Sequence, residues 1–120
     1  MKTIKALFVI AFVVSIATGA KAQNYKLEGP FLLTKTIKAN GACEMCKHRI
    51  ENALKKSPAV KSAVWDEDSK TAQVQYYKSQ INPDQIEQLI AAVGHDTEKF
   101  KASGDVYGKL PDCCHYSRIN

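Results

Sequence analysis

Two stretches of this chain repeat apolar residues with the period of a helix, and between them lie two stretches that alternate with the period of a strand. In the first, Cys46 to Ser57, Cys46, Ile50, Ala53 and Leu54 fall on one face while Lys47, Arg49, Glu51, Lys55 and Lys56 take the other. Ser57-Pro58 ends it, because the residue before a proline is pushed out of the helical region. The second opens at Asn82-Pro83, where Asn can cap a helix and Pro suits its first position. It continues with Ile86, Leu89, Ile90 and Val93 at i, i+3, i+4 and i+7, and Gly94 terminates it. Between the two, Val60 to Asp66 reads as a strand, with Val60, Ser62 and Val64 alternating against Ala63 and Trp65. Thr71 to Tyr77 reads as its partner, with Ala72, Val74 and Tyr76 on one face. The polar turn Glu67-Asp68-Ser69-Lys70 joins them as a hairpin.

Two flanking segments complete the pattern. Thr34 to Ala39 fits a half-buried strand, with Leu33 and Ile37 on one face, and Asn40-Gly41 ends it. His95 to Lys101 fits a short fourth strand. The order β-α-β-β-α-β predicts an α+β, ferredoxin-like sandwich over residues 33–102, a four-stranded antiparallel sheet with both helices on one face. The tail, residues 103–120, is too short for a second core, although Val106, Tyr107, Leu110 and Tyr116 are able to pack back on the domain.

The amino terminus predicts a signal peptide over residues 1–22. Lys2 and Lys5 precede the apolar run Ala6 to Ala17, and Ala20-Lys21-Ala22 supplies the small residues of a cleavage site. The run is shorter than the roughly 20 apolar residues a membrane span needs. An exported, periplasmic or secreted protein is expected, with residues 23–32 as a short arm. The net charge is +5 for the whole chain and +2 once Lys2, Lys5 and Lys21 are removed with the leader. So small a charge, with no basic run interleaved with aromatics, argues against nucleic acid as a partner.

All four cysteines, Cys43, Cys46, Cys113 and Cys114, follow the leader. Two tight pairs far apart in sequence do not resemble a disulfide framework spread along a small secreted fold. Cys43 and Cys46 sit where the first strand gives way to the first helix, close enough for both sulfurs to meet one soft ion. Thiolates select Cu(I), Zn(II) and Hg(II) over Mg(II) or Ca(II), and two thiolates suit two-coordinate Cu(I) or Hg(II). A helix start beside the pair favours the thiolate form.

A strand, then Gly41-x-Cys43-x-x-Cys46, then a helix resembles the heavy-metal-associated domain of periplasmic mercury-binding proteins, copper metallochaperones and the amino-terminal modules of metal ATPases. The resemblance implies the same ferredoxin-like fold and a partner in a membrane metal transporter or exporting ATPase. It covers roughly residues 33–102. Members carry a Met before the first cysteine spacer, where this chain has Asn40-Gly41-Ala42-Cys43. They also carry an aromatic or Lys after the glycine that follows the second helix; here His95 stands there and joins the candidate ligands. His48, two residues past Cys46, is expected to point away, Glu44 to be solvated, and Met45 to be either a soft extra ligand or simply exposed or packed.

Cys113-Cys114-His115 lies beyond the resemblance. Its thiols and imidazole are candidate ligands that either complete a thiolate-rich site with Cys43 and Cys46, admitting Zn(II) or Cd(II), or form a separate site or a disulfide. The expected function is capture of a soft metal ion, Cu(I) or Hg(II), and its transfer by ligand exchange, by a protein that is monomeric without metal and is not an enzyme. A thiol–disulfide oxidoreductase using Cys43 and Cys46 and a passive metal buffer are the alternatives.

Overall fold

The computed structural model describes residues 31–118. The leader expected at 1–22 and residues 23–30 of the expected arm lie outside the described residues. The first strand, β1 (Leu32–Lys38), begins two residues earlier than its alternation suggested. It is followed by α1 (Glu44–Lys55), the hairpin β2 (Val60–Asp66) and β3 (Thr71–Tyr77), and α2 (Pro83–Ala92). A short helix, α3 (Gly104–Gly108), and a 3₁₀ turn at Asp112–Cys114 form the tail.

The sheet is antiparallel, with β3 in the middle and the order β1-β3-β2. Ile37 lies opposite Ala72, and Trp65 lies opposite the same Ala72 from the other side, so these three share one face. That face is buried against α1 and α2 through Ile50, Leu54, Ile86 and Ile90, all fully buried. Burying each such aliphatic side chain contributes about 1.5–3 kcal/mol. α2 starts on a reciprocal cap: the Gln85 amide donates to Asn82 Oδ1 at 2.8 Å, and the Asn82 amide donates to Gln85 Oε1 at 3.0 Å. Gly94 follows the helix at φ 107, a left-handed conformation that glycine adopts without strain.

The structure differs from the sequence pattern in three places. In β2 the register shifts between Val60 and Ser62, a bulge at Lys61. The extra residue lets Val60 and Ala63 both face the core and leaves Val64, 58% exposed, on the outer side. On α1, Glu51 belongs to the buried set rather than the solvated face. Its Oε2 accepts the Trp65 amide at 2.8 Å and the Lys47 ammonium at 2.6 Å, so the acid ties helix to sheet.

The fourth strand is the largest correction. Among the described residues, 95–101 forms no strand, and its link to β1 is the single antiparallel bridge between Ala39 and Thr97. Beyond that bridge the backbone turns instead of extending: the Thr97 amide donates to the Phe100 carbonyl at 2.8 Å, and Thr97 Oγ1 accepts the Phe100 amide at 3.0 Å. The groups that would extend a ladder are taken by side chains. Asp96 N–H donates to the Tyr116 hydroxyl at 2.8 Å, and Ala102 N–H donates to Asp96 Oδ1 at 2.8 Å.

The tail packs back, as its apolar residues suggested. Leu110 and Tyr116 join the core and Tyr107 packs against it. Arg118 clamps Asp96 from Nε at 2.9 Å and from Nη2 at 2.8 Å, and stacks its guanidinium over the Tyr107 ring. Among the described residues no helix is long and apolar enough to cross a membrane.

Candidate metal centre

The loop between β1 and α1 is held on three sides. Trp65 Nε1 donates to the Ala39 carbonyl at 2.9 Å, the Asn40 amide donates to the Asp96 carbonyl at 2.8 Å, and His95 Nδ1 meets the Asn40 carbonyl at 2.8 Å. Since a carbonyl only accepts, Nδ1 carries the proton there. Gly41 then passes so close to its neighbours that a Cβ would lie 2.9 Å from both Cys46 Cβ and Trp65 Cζ2. A glycine is therefore required for the loop to lie against the helix and the tryptophan.

Cys43 is the residue that caps α1. Its backbone is extended, and its carbonyl accepts the Cys46 amide at 2.9 Å and the Lys47 amide at 3.3 Å. Cys46 lies within the first turn, fully buried, with Sγ 3.5 Å from Cys43 Sγ and 3.3 Å from the Ala42 nitrogen. The tail brings the second pair to the same place. After Pro111, the 3₁₀ turn sets Cys113 Sγ 2.7 Å and Cys114 Sγ 3.4 Å from Cys43 Sγ. The sulfurs of Cys43, Cys113 and Cys114 lie within 4.8 Å of one another, close enough to share an ion. Cys43 is thus the hub, in contact with all three other thiols. The four cysteines are unpaired thiols.

This crowding sets where charge resides. Burial opposes ionisation of Cys43, but hydrogen bonds from the Cys113 thiol, the Cys46 amide, and the Cys114 and Cys46 thiols bring it down to about 7. Cys113 is pushed up, first because its proton is engaged by Cys43. Cys114 is pushed strongly up, first by burial and then by its contacts with Cys46 and Cys43. One thiolate shared among four sulfurs is a nucleophilic, metal-ready arrangement at neutral pH.

The other candidates fall elsewhere. His95 is fully buried rather than on an exposed loop, and it stands outside the sulfur group. Desolvation lowers its pKa, Nε2 is buried without a partner among the described residues, and Tyr116 stacks on the ring at 5.8 Å. Its visible work is to pin Asn40. His115 is exposed and lies on the Tyr107 ring at 5.1 Å, outside the sulfur group. His48 and Glu44 are exposed. The Lys47 ammonium donates to Glu51 and to the Trp65 carbonyl. Met45, left by the sequence as either a soft extra ligand or an exposed or packed side chain, is exposed, and its thioether lies 3.6 Å from Cys113 Sγ. Its position inside the Cys-x-x-Cys spacing was the one signal for it.

Residues 36–96 match the heavy-metal-associated domain, half of the chain. The chain belongs to that family. Among solved structures, this heavy-metal-associated protein is similar to the CopZ metallochaperone, at 27% identity and a TM-score of 0.52, over 54% of this chain and 98% of that one. It is also similar to the water-soluble region of the P-type ATPase CopA from Bacillus subtilis, at 25% identity and a TM-score of 0.52, over 55% of this chain and 44% of that one. No curated protein sequence matches it. Cys113 and Cys114 lie beyond the matched residues, so the second thiol pair is an addition to the family's domain.

Proposed function

We propose that this protein is an exported carrier that captures Cu(I) on Cys43 and Cys46, with Cys113 and Cys114 closing over the ion, and passes it by ligand exchange to a membrane metal transporter or exporting ATPase. The observation that carries the reading is the convergence of three other free thiols on Cys43 at the first loop of a heavy-metal-associated domain. Thiolates select soft ions, Cu(I) among them, and a transporter as partner is favoured because the similar structures are a metallochaperone and the water-soluble region of a P-type ATPase. Hg(II) satisfies the same two-thiolate geometry, and four thiolates meet the ligand count of Zn(II) or Cd(II). Export rests on the basic start, apolar run and Ala20-Lys21-Ala22 of the sequence.

The test is anaerobic Cu(I) titration against a chromophoric chelator, with transfer to a separate heavy-metal-associated domain of an ATPase read by mass spectrometry. Cys43→Ser is expected to abolish tight binding and transfer while the circular dichroism spectrum is kept. Tight Cu(I) binding by folded Cys43→Ser rejects the reading.

A second reading, thiol–disulfide exchange, is favoured by one observation: a Cys43 thiol lowered to about 7 stands 2.7 Å from Cys113 Sγ. Insulin-reduction turnover by the metal-free protein separates it from the carrier, which has none.

A further inference from the structure

The sulfur cluster is larger than a single Cu(I) ion needs, and it is not symmetric. A single four-coordinate ion requires four sulfurs at comparable mutual distances. Here Cys43, Cys113 and Cys114 share one compact group, and Cys46 stands outside it, in contact with Cys43 and Cys114. A fifth sulfur, Met45 Sδ, lies 3.6 Å from Cys113 Sγ. Two sets of sulfurs differing in exposure meet at Cys43: Cys46 and Cys114 on one side, and Cys113 with Met45 beyond it on the other. One is buried: Cys46 and Cys114 have no exposed surface. The other faces solvent: Cys113 is exposed and Met45 is 51% exposed.

We propose that the cluster holds two Cu(I) ions with Cys43 as the shared thiolate, an inner ion on Cys43, Cys46 and Cys114 and an outer ion on Cys43, Cys113 and the Met45 thioether. This rests on the Cu(I) reading above and deepens it. A thiolate sulfur has lone pairs enough to bridge two soft ions, and a thioether is a ligand that Cu(I) accepts and Zn(II) or Mg(II) does not favour. The inner set has Cys43 Sγ at 3.5 Å from Cys46 and 3.4 Å from Cys114. The outer one runs from Cys43 through Cys113 at 2.7 Å to Met45 at 3.6 Å, and it opens outward as the ion enters. Opening is cheap there because Cys113 and Met45 are on the surface. The difference in exposure orders the two ions: the outer one is accessible to a competitor or a partner, and the inner one is shielded.

The test is anaerobic native mass spectrometry of the full chain during Cu(I) titration, reading ions per monomer. The wild type is expected to reach two, and Met45→Leu and Cys113→Ser to stop at one. Both residues are exposed, and circular dichroism checks that each variant is folded. X-ray absorption of the two-copper form is expected to show a Cu–Cu scattering shell that is absent at one equivalent. A wild type that stops at one ion overturns the inference and leaves the carrier reading standing. A wild type that retains none overturns both. Two ions in Met45→Leu and Cys113→Ser alike overturn the assignment of the outer ligands.

Discussion

Replacing Tyr116 by Phe removes one oxygen and tests how the second pair of thiols is held at the loop. The hydroxyl accepts the Asp96 amide at 2.8 Å and donates to the Gly94 carbonyl at 2.8 Å. Burial raises Tyr116 to about 12, so the proton needed for that donation is present across the physiological range. Phe keeps the stack on His95 and the edge contact with Tyr107, and leaves two buried backbone groups unpartnered. An unsatisfied buried donor or acceptor costs about 1–3 kcal/mol, so the pair costs roughly 2–6 kcal/mol, partly offset by any water that reaches it. The cost falls on tail docking, because the hydroxyl joins the tail to the segment that follows α2. Since 1.4 kcal/mol is tenfold in an equilibrium, 2 kcal/mol corresponds to about 30-fold faster exchange of the Asp96 amide. Hydrogen exchange by NMR reads this directly, with the Trp65 amide on β2 as the internal reference. Cu(I) affinity falls with the docked fraction, because Cys113 and Cys114 leave the loop when the tail does. Exchange at Asp96 within threefold of wild type, with unchanged Cu(I) affinity, refutes the claim that this hydroxyl anchors the tail.

Three further outcomes are expected. Burial works against ionisation of Glu51, but hydrogen bonds from Lys47 and the Trp65 amide outweigh it and hold the carboxyl below its ordinary value of about 4.3. Its stabilising contribution is therefore full above that ordinary value and is lost as pH falls through the lower folded-state value. Glu51→Gln should destabilise by about 1.5–3 kcal/mol at pH 7 in urea unfolding and converge on the wild type in acid; a gap that stays constant with pH contradicts it. Gly94→Ala places a Cβ 2.8 Å from Leu110 Cδ2 at φ 107 and should cost about 1–3 kcal/mol, read as a lowered thermal midpoint, whereas an unchanged midpoint rejects the strain argument. The double variant Cys113→Ser, Cys114→Ser should weaken Cd(II) at least about tenfold more than Hg(II), because Cd(II) seeks the extra thiolates and Hg(II) is content with two; equal losses in competition titrations count against a shared site.

What the sequence made legible was what is local. α2 announces itself through Asn82, Pro83, Gln85 and Gly94, all within or beside one helix, and the hairpin through two alternating runs and a polar turn. The parts that eluded it depend on partners far along the chain. The segment after Gly94 has strand-like composition, yet Tyr116 and Arg118, some twenty residues later, occupy Asp96 and the backbone beside it. Glu51 reads as a solvated helix residue because nothing local reveals that the Trp65 amide faces it. In β2 one extra residue, Lys61, changes which side chains face inward. At the candidate site, the closeness of Cys43 and Cys46 was readable from spacing, and the return of Cys113 and Cys114 to them was one of three open arrangements. His95 carried a ligand's chemistry, but burial and the Asn40 carbonyl make it a brace for the loop.

Whether loop and tail sulfurs together form one soft-metal centre is decided by X-ray absorption at the copper edge, on the anaerobic chain loaded with one equivalent of Cu(I). An all-sulfur first shell of about three ligands is expected, falling to two in the Cys113→Ser, Cys114→Ser variant. A shell dominated by nitrogen or oxygen, or two sulfurs in wild type and variant alike, contradicts it.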